Sequence, residues 1–313
     1  MLVFILLFLV GFFSLCKGGD VFVNSAVFFA RKFNISEVII GATILSIGTT
    51  LPELTVSVLA AAEGVPIISY GNVIGSVICN TALVGGVLCL LAPTLVSRRE
   101  ISLSSFFFCI SAIICFIVGL IYGGIGTFAG LILIIVYLLS AIFTIKEMKK
   151  KRIPLQFENK KTHLNDSLIK QVVFLIFGVL MIMIGSRLLI HNGIRIAQLM
   201  NVPSHVIAVT FISFGTSLPE LITAVVAIRK GHTCLSIGNL IGANIINLTM
   251  IIGISGMITP MQIPLNIIRH DAIFFIIILA VFFLPILFKK RTLRIQGIAL
   301  LVLYIYYCVK IFI

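Results

Sequence analysis

Apolar runs of about 20–30 residues, separated by short polar breaks, fill this chain, and runs of that length predict bilayer-spanning helices. The first runs from near Leu2 to about Ala30 and is closed by Arg31-Lys32. The second starts after Asn34, with Ser36 placed as its N-cap, and reaches about Ala62. The third covers roughly Ser69 to Leu91. The fourth and fifth, about Ser102 to Ile121 and Ile125 to Ile145, carry almost no polar groups and read as lipid-facing scaffold. A polar, basic stretch from Lys146 to Lys170 follows. Five more runs then fall near Ser167–Met200, Pro203–Ile228, Leu235–Ile258, Ala272–Phe288 and Leu293–Phe312. The pattern predicts an all-α polytopic membrane protein of ten transmembrane helices. Its parts are a first five-helix repeat (1–147), a basic cytoplasmic loop (148–166) and a second, inverted five-helix repeat (167–313).

Duplication is visible residue by residue. An interval of 167 pairs Glu53 with Glu220, Thr43 with Thr210, Ser46 with Ser213, Asn72 with Asn239, Gly75 with Gly242 and Asn80 with Asn247. About 18 of 40 positions are identical between Gly41–Asn80 and Ala208–Asn247, without a gap. Five helices per copy is an odd number, so the second copy must enter the membrane upside down. With the N-terminus outside, about 18 of the 23 basic residues fall on the inner side, as the positive-inside rule requires. Both termini are then expected outside, in a prokaryotic cytoplasmic membrane.

Composition agrees with this reading. Hydrophobic residues make up 60% of the chain, charged ones 11%, and the mean hydropathy is +1.24. A soluble domain carries about 25% charged residues. The net charge of +13 belongs to the inner loops and not to a nucleic-acid surface. Seven cysteines stand singly, without a CxxC or metal spacing, and read as small buried hydrophobes. The run from Met1 to Phe13 lacks the basic start of a signal peptide, so it reads as the first transmembrane helix.

The polar residues inside the apolar runs supply the chemistry. Gly48–Glu53 reads Gly-Thr-Thr-Leu-Pro-Glu, and Gly215–Glu220 reads Gly-Thr-Ser-Leu-Pro-Glu. A charge at mid-membrane costs roughly 2.5–3.5 kcal/mol on insertion scales, so such carboxylates are rare and functional. Pro52 has no amide to donate to Gly48, so the second helix is expected to kink or unwind between Gly48 and Leu51 and free carbonyls there. Ser46, Thr49 and Glu53 share one helix face, as do Ser213, Thr216 and Glu220, with Thr50 and Ser217 beside the breaks. Inverted copies converge near the membrane midplane. Two carboxylates, four hydroxyls and freed carbonyls make an all-oxygen cage suited to a hard cation such as Ca²⁺. Asn72, Ser76 and Asn80 form a polar stripe on the third helix. Asn80 and Asn247 either face the ion or bond helix to helix.

These doubled motifs, each followed by Gly-Asn-x-Ile-Gly, resemble the two alpha repeats of the sodium/calcium exchanger family within the cation/calcium antiporters. The resemblance covers nearly the whole chain. It implies ten helices in two inverted halves, no enzymatic activity, no cofactor, and electrogenic exchange of Na⁺ for Ca²⁺, with ions held between helices two, three, seven and eight. It assigns Glu53, Thr49, Thr50, Glu220, Thr216 and Ser217 as ligands, with Ser46 and Ser213 giving backbone carbonyls and Ser76 and Asn80 matching third-helix positions. Glu53, Glu220, Thr49 and Thr216 are the residues expected on the divalent metal. The eighth helix departs from the pattern. Ala243 replaces a frequent serine and Asn247 a frequent aspartate, which bears on stoichiometry and coupling ion.

Rival classes remain at this point. An intramembrane enzyme would use the paired carboxylates to activate water, but no protease signature accompanies them. A channel would not need the duplicated, helix-breaking motif. A proton/cation antiporter fits the same carboxylates. The expected partners are Ca²⁺, Na⁺ or H⁺ and lipid, with no nucleic acid, and the chain is expected to act as a monomer. Asp20 and Arg187 are also 167 apart, but inversion sends them to opposite faces, so no ion pair between them is expected and snorkelling accounts for each. The five histidines, near segment ends, suggest no metal site.

Overall fold

The computed structural model describes residues 1–95, 98–150, 167–200 and 213–312. The helices are α1 (Leu2–Lys32), α2 (Glu37–Thr49), α3 (Leu51–Ala62), α4 (Pro66–Leu91), α5 (Arg98–Tyr122) and α6 (Thr127–Lys150). They continue with α7 (Leu168–Leu199), α8 (Ser213–Thr216), α9 (Leu218–Arg229), α10 (Thr233–Ile258), α11 (Leu265–Lys289) and α12 (Arg294–Phe312). Seven described helices are each long and apolar enough to cross a membrane, and α2 with α3 makes an eighth span bent by 48°. The seventh sequence run begins among residues outside the described set, as do Thr210 and most of the basic loop.

Local chemistry explains several boundaries. Ser36 caps α2, its hydroxyl accepting from the Ile39 amide at 3.4 Å. The bend falls at Thr50, and its counterpart Ser217 breaks α8 from α9; their backbones match, at φ −87°, ψ 2° and φ −84°, ψ 1°. Each break lies two residues before a proline, which then sits in the first turn of the next helix, where a missing amide costs nothing. The helix expected from Ala272 begins at Leu265 instead. Its early polar residues, which read as a loop, include Asp271, buried and accepting from the Tyr307 hydroxyl at 3.3 Å.

Contacts between the two halves come in exchanged pairs. Gly124 pairs with Gln262 in a two-stranded β1–β2 ribbon (Gly124–Ile125 with Met261–Gln262). Leu95 bridges Arg291, and adding 167 to 95 and 124 yields 262 and 291. Such swapping is the mark of a pseudo-two-fold axis. Phe108 meets Phe275, its own counterpart 167 residues on, edge to face at 5.8 Å, which places that contact on the axis and packs α5 against α11. Backbones approach closely where glycines allow it. A Cβ on Gly242 would lie 2.6 Å from the Ala42 carbonyl and from Ser46 Oγ, so α10 lies directly on α2. Asp20 has an ion-pair partner the sequence did not suggest, Lys230, 210 residues away and just past the end of α9.

Candidate functional site

The two motif copies meet in the interior. Glu53 and Glu220 open α3 and α9 just past the breaks and are at most 1% exposed. Neither carboxylate has a hydrogen-bond partner among the described residues. A buried, unpaired carboxylate is costly, and two side by side are costlier still, unless a cation lies between them.

The hydroxyls around them are oriented. Thr49 and Thr50, from the first copy, lie beside Glu220 of the second. Thr49 Oγ1 donates to Asn239 Oδ1 at 3.3 Å, and Thr50 Oγ1 donates to the Ser46 carbonyl. Thr216 Oγ1 donates to Asn72 Oδ1 at 3.2 Å and lies 3.4 Å from Ser76 Oγ. The pair Thr49–Asn239 becomes Thr216–Asn72 on adding 167 and exchanging partners. A hydroxyl whose hydrogen is engaged in this way offers its oxygen lone pairs to a cation, the form a hydroxyl ligand takes. Asn72 and Asn239 are themselves held from behind. Asn72 Nδ2 donates to Ser57 Oγ at 2.9 Å and to the Glu53 carbonyl at 3.3 Å, and Asn239 Nδ2 to Thr223 Oγ1 at 3.4 Å. The motif placed these asparagines on the right helices, but their spacing alone did not reveal this orienting role.

The family resemblance assigns Ser46 and Ser213 as carbonyl ligands. The Ser46 carbonyl already accepts from the Thr50 amide at 3.0 Å and from two hydroxyls, so the break leaves it more engaged than expected. Ser213 opens α8, and its side chain lies outside the described residues. Ser217 is buried with its hydroxyl unpartnered among the described residues.

Asn80 and Asn247 are fully buried, and neither amide has a partner among the described residues. That counts against hydrogen-bonding glue. Each stands in a π-helical turn, Cys79–Val84 and Asn247–Ile251, and a third such turn covers Gly41–Leu45 beside the break. These turns cluster at functional sites, and hydrophobic periodicity could not have shown them. Next to them Asn244 Nδ2 donates to Thr81 Oγ1 at 2.9 Å and ties α10 to α4. Among the described residues no group of three His, Cys, Asp or Glu side chains stands ready to hold a metal. The cage rests on two carboxylates and neutral oxygens.

Comparison with known proteins points the same way. The family described as sodium/calcium exchanger protein matches residues 3–146 and again 170–313. An uncharacterised membrane protein of Methanocaldococcus jannaschii is 30% identical over 298 residues, spanning 95% of this chain and 94% of that protein. The sodium/calcium exchanger MaX1 of Methanosarcina acetivorans is 29% identical, with 98% of both chains covered. A structure of the sodium-calcium exchanger NCX_Mj, soaked with Na⁺ and Ca²⁺, superposes with a TM-score of 0.85 at 28% identity. The match covers 98% of this chain and 97% of that one.

Proposed function

Because the chain belongs to the sodium/calcium exchanger protein family, we propose that it is a secondary antiporter exchanging Na⁺ for Ca²⁺ by alternating access. The observation that carries this reading is the pair of buried glutamates, one from each repeat, set among threonine hydroxyls that the asparagines of the opposite repeat hold in place. Glu53, Glu220, Thr49 and Thr216 hold the divalent ion, and Thr50, Ser217, Ser76, Asn80 and Asn247 complete the cation sites. The fold that presents them has ten transmembrane helices in two inverted repeats, 1–147 and 167–313, joined by the basic segment 148–166. Both termini lie outside the cytoplasmic membrane.

Orientation rests on the basic loops. A single cysteine placed between Lys149 and Arg152, in a background without the seven native cysteines, should resist an impermeant thiol reagent in intact cells. Labelling from outside would reverse the orientation.

Charge arithmetic sets the stoichiometry. Two ionised glutamates give about −2, which one Ca²⁺ or two Na⁺ neutralise. Asn80 and Asn247 are neutral, so a third Na⁺ leaves the loaded site at about +1 and couples it to voltage at about 2.3 kcal/mol per charge per 100 mV. Three Na⁺ per Ca²⁺ is the proposed ratio. An internally negative potential should then speed Na⁺-driven Ca²⁺ extrusion from vesicles. Sodium-coupled flux that ignores voltage would point to two Na⁺ per Ca²⁺.

A further inference from the structure

One side chain against the cation cage carries sulfur and not oxygen. Cys79 opens the π-helical turn Cys79–Val84, immediately before Asn80, and is 1% exposed. That turn packs against α9 and α12. The Cys79 thiol lies beside the hydroxyl of Ser217, the residue at the α8–α9 break, and beside Tyr304 of α12. A buried cysteine among aliphatic groups is a small hydrophobe. Cys79 instead sits among polar atoms left over by the fold. Ser217 Oγ and both polar atoms of the Asn80 amide have no hydrogen-bond partner among the described residues. Neither do the carboxylate oxygens of Glu220, three residues past Ser217. Buried polar atoms without partners are the exception in a folded chain, and a bound ion is one of the few things that explains them.

The two repeats differ at this point. The residue 167 positions past Cys79 is Ile246, so the inverted copy has no sulfur there. Thr50, the counterpart of Ser217, donates its hydroxyl to the Ser46 carbonyl, whereas the Ser217 hydroxyl is unengaged among the described residues. One side of the cage therefore holds a thiol next to an unengaged hydroxyl, and the other side has neither.

We propose that Cys79, Ser217, Asn80 and Glu220 form a site for a thiophilic divalent cation, which makes Cys79 a determinant of the ions this cage accepts. Calcium takes oxygen ligands, while thiolate sulfur favours softer ions. Cadmium has calcium's charge and nearly its size, and it binds sulfur strongly, so it is the probe this juxtaposition selects. As the sulfur–metal bond forms, the S–H bond breaks and its proton passes to solvent. Ca²⁺ gains nothing from the sulfur. Cd²⁺ should therefore hold the cage more tightly than Ca²⁺ does.

This inference rests on the cation site proposed above, and its test separates the two. The purified full chain is titrated in detergent with Cd²⁺ or with Ca²⁺. Binding is read from the rise in unfolding temperature and from the ultraviolet charge-transfer band of a sulfur–cadmium bond. Cys79→Ser puts an oxygen where the sulfur stood, and the difference spectrum between the two proteins cancels the other six cysteines. A Cys79 band should appear in that difference. The ratio of Cd²⁺ to Ca²⁺ affinity should fall in the variant by at least about 10- to 100-fold, the loss that follows removal of even an outer partner of a metal ligand. No difference band, or an unchanged ratio, overturns the proposal. In the native chain, which needs no variant to fold, saturating Ca²⁺ should displace the Cd²⁺ and abolish the band. If Ca²⁺ stabilises the protein and leaves the band intact, the sulfur lies outside the cage and the proposal fails. Glu220→Gln should shift formation of the band to higher Cd²⁺ concentration, and an unshifted band has the same meaning. If Cd²⁺ binding depends on Cys79 and Glu220 while Ca²⁺ neither stabilises the protein nor displaces Cd²⁺, the sulfur site stands and the Ca²⁺ reading falls.

Discussion

Replacing either buried glutamate with glutamine, Glu53→Gln or Glu220→Gln, should abolish Ca²⁺ transport and leave the protein inserted and folded. The substitution keeps the shape and one carbonyl oxygen, and removes one of the two charges in the cage. At an effective dielectric of about 20, a unit charge about 4 Å from another contributes about 4 kcal/mol, and Ca²⁺ doubles its own side of that product. The loss is therefore at least about a thousandfold in affinity, more than the remaining neutral oxygens can restore. Stability should move the other way. Neither carboxylate has a hydrogen-bond partner among the described residues, and a buried amide costs less than a buried, unpaired carboxylate. In cation-free detergent solution, thermal unfolding of either variant should occur at or above the parent's temperature. Near-normal exchange in one variant would remove that glutamate from the site. A collapse in its stability would make its role structural.

The second large effect concerns one motif glycine in its two settings. Gly71 and Gly238 both precede the asparagine that orients a threonine, and they are 167 apart. A Cβ on Gly238 would be driven into the Val38 backbone, with the Val38 Cα at 2.9 Å, whereas at Gly71 no described atom lies within 4 Å. Gly238→Ala must push α10 off α2, and overpacking a close helix contact costs about 1–3 kcal/mol or more. It also displaces Asn239, which accepts from Thr49, so transport should fall more than tenfold. Gly71→Ala should be tolerated in both yield and flux. Expression, unfolding temperature and flux measured side by side settle it, and equal sensitivity at the two positions would contradict the one-sided packing.

What the chain discloses in advance is whatever repeats or has a period. The interval of 167 identified both glutamates, and Ser36 announced its cap. Pro52 announced the break but not its residue, because Thr50 bends through its own backbone while its hydroxyl turns back onto the Ser46 carbonyl. Three features were out of reach for physical reasons. A π-helical turn inserts its extra residue without a composition signal, so the setting of Asn80 and Asn247 could not be read. The orienting bonds from Thr49 and Thr216 join residues 190 and 144 apart. The partner of Asp20 is a lysine 210 residues away, and its true match was hidden by a coincidental Arg187 at the repeat interval.

Exchange of Na⁺ for Ca²⁺ at the carboxylate pair is decided by ⁴⁵Ca²⁺ uptake into proteoliposomes of the purified chain under Na⁺ and H⁺ gradients imposed separately. An outward Na⁺ gradient alone should drive Ca²⁺ accumulation, a proton gradient alone should not, and Glu53→Gln should abolish the uptake. Uptake driven only by the proton gradient would contradict it and make the protein a proton/cation antiporter.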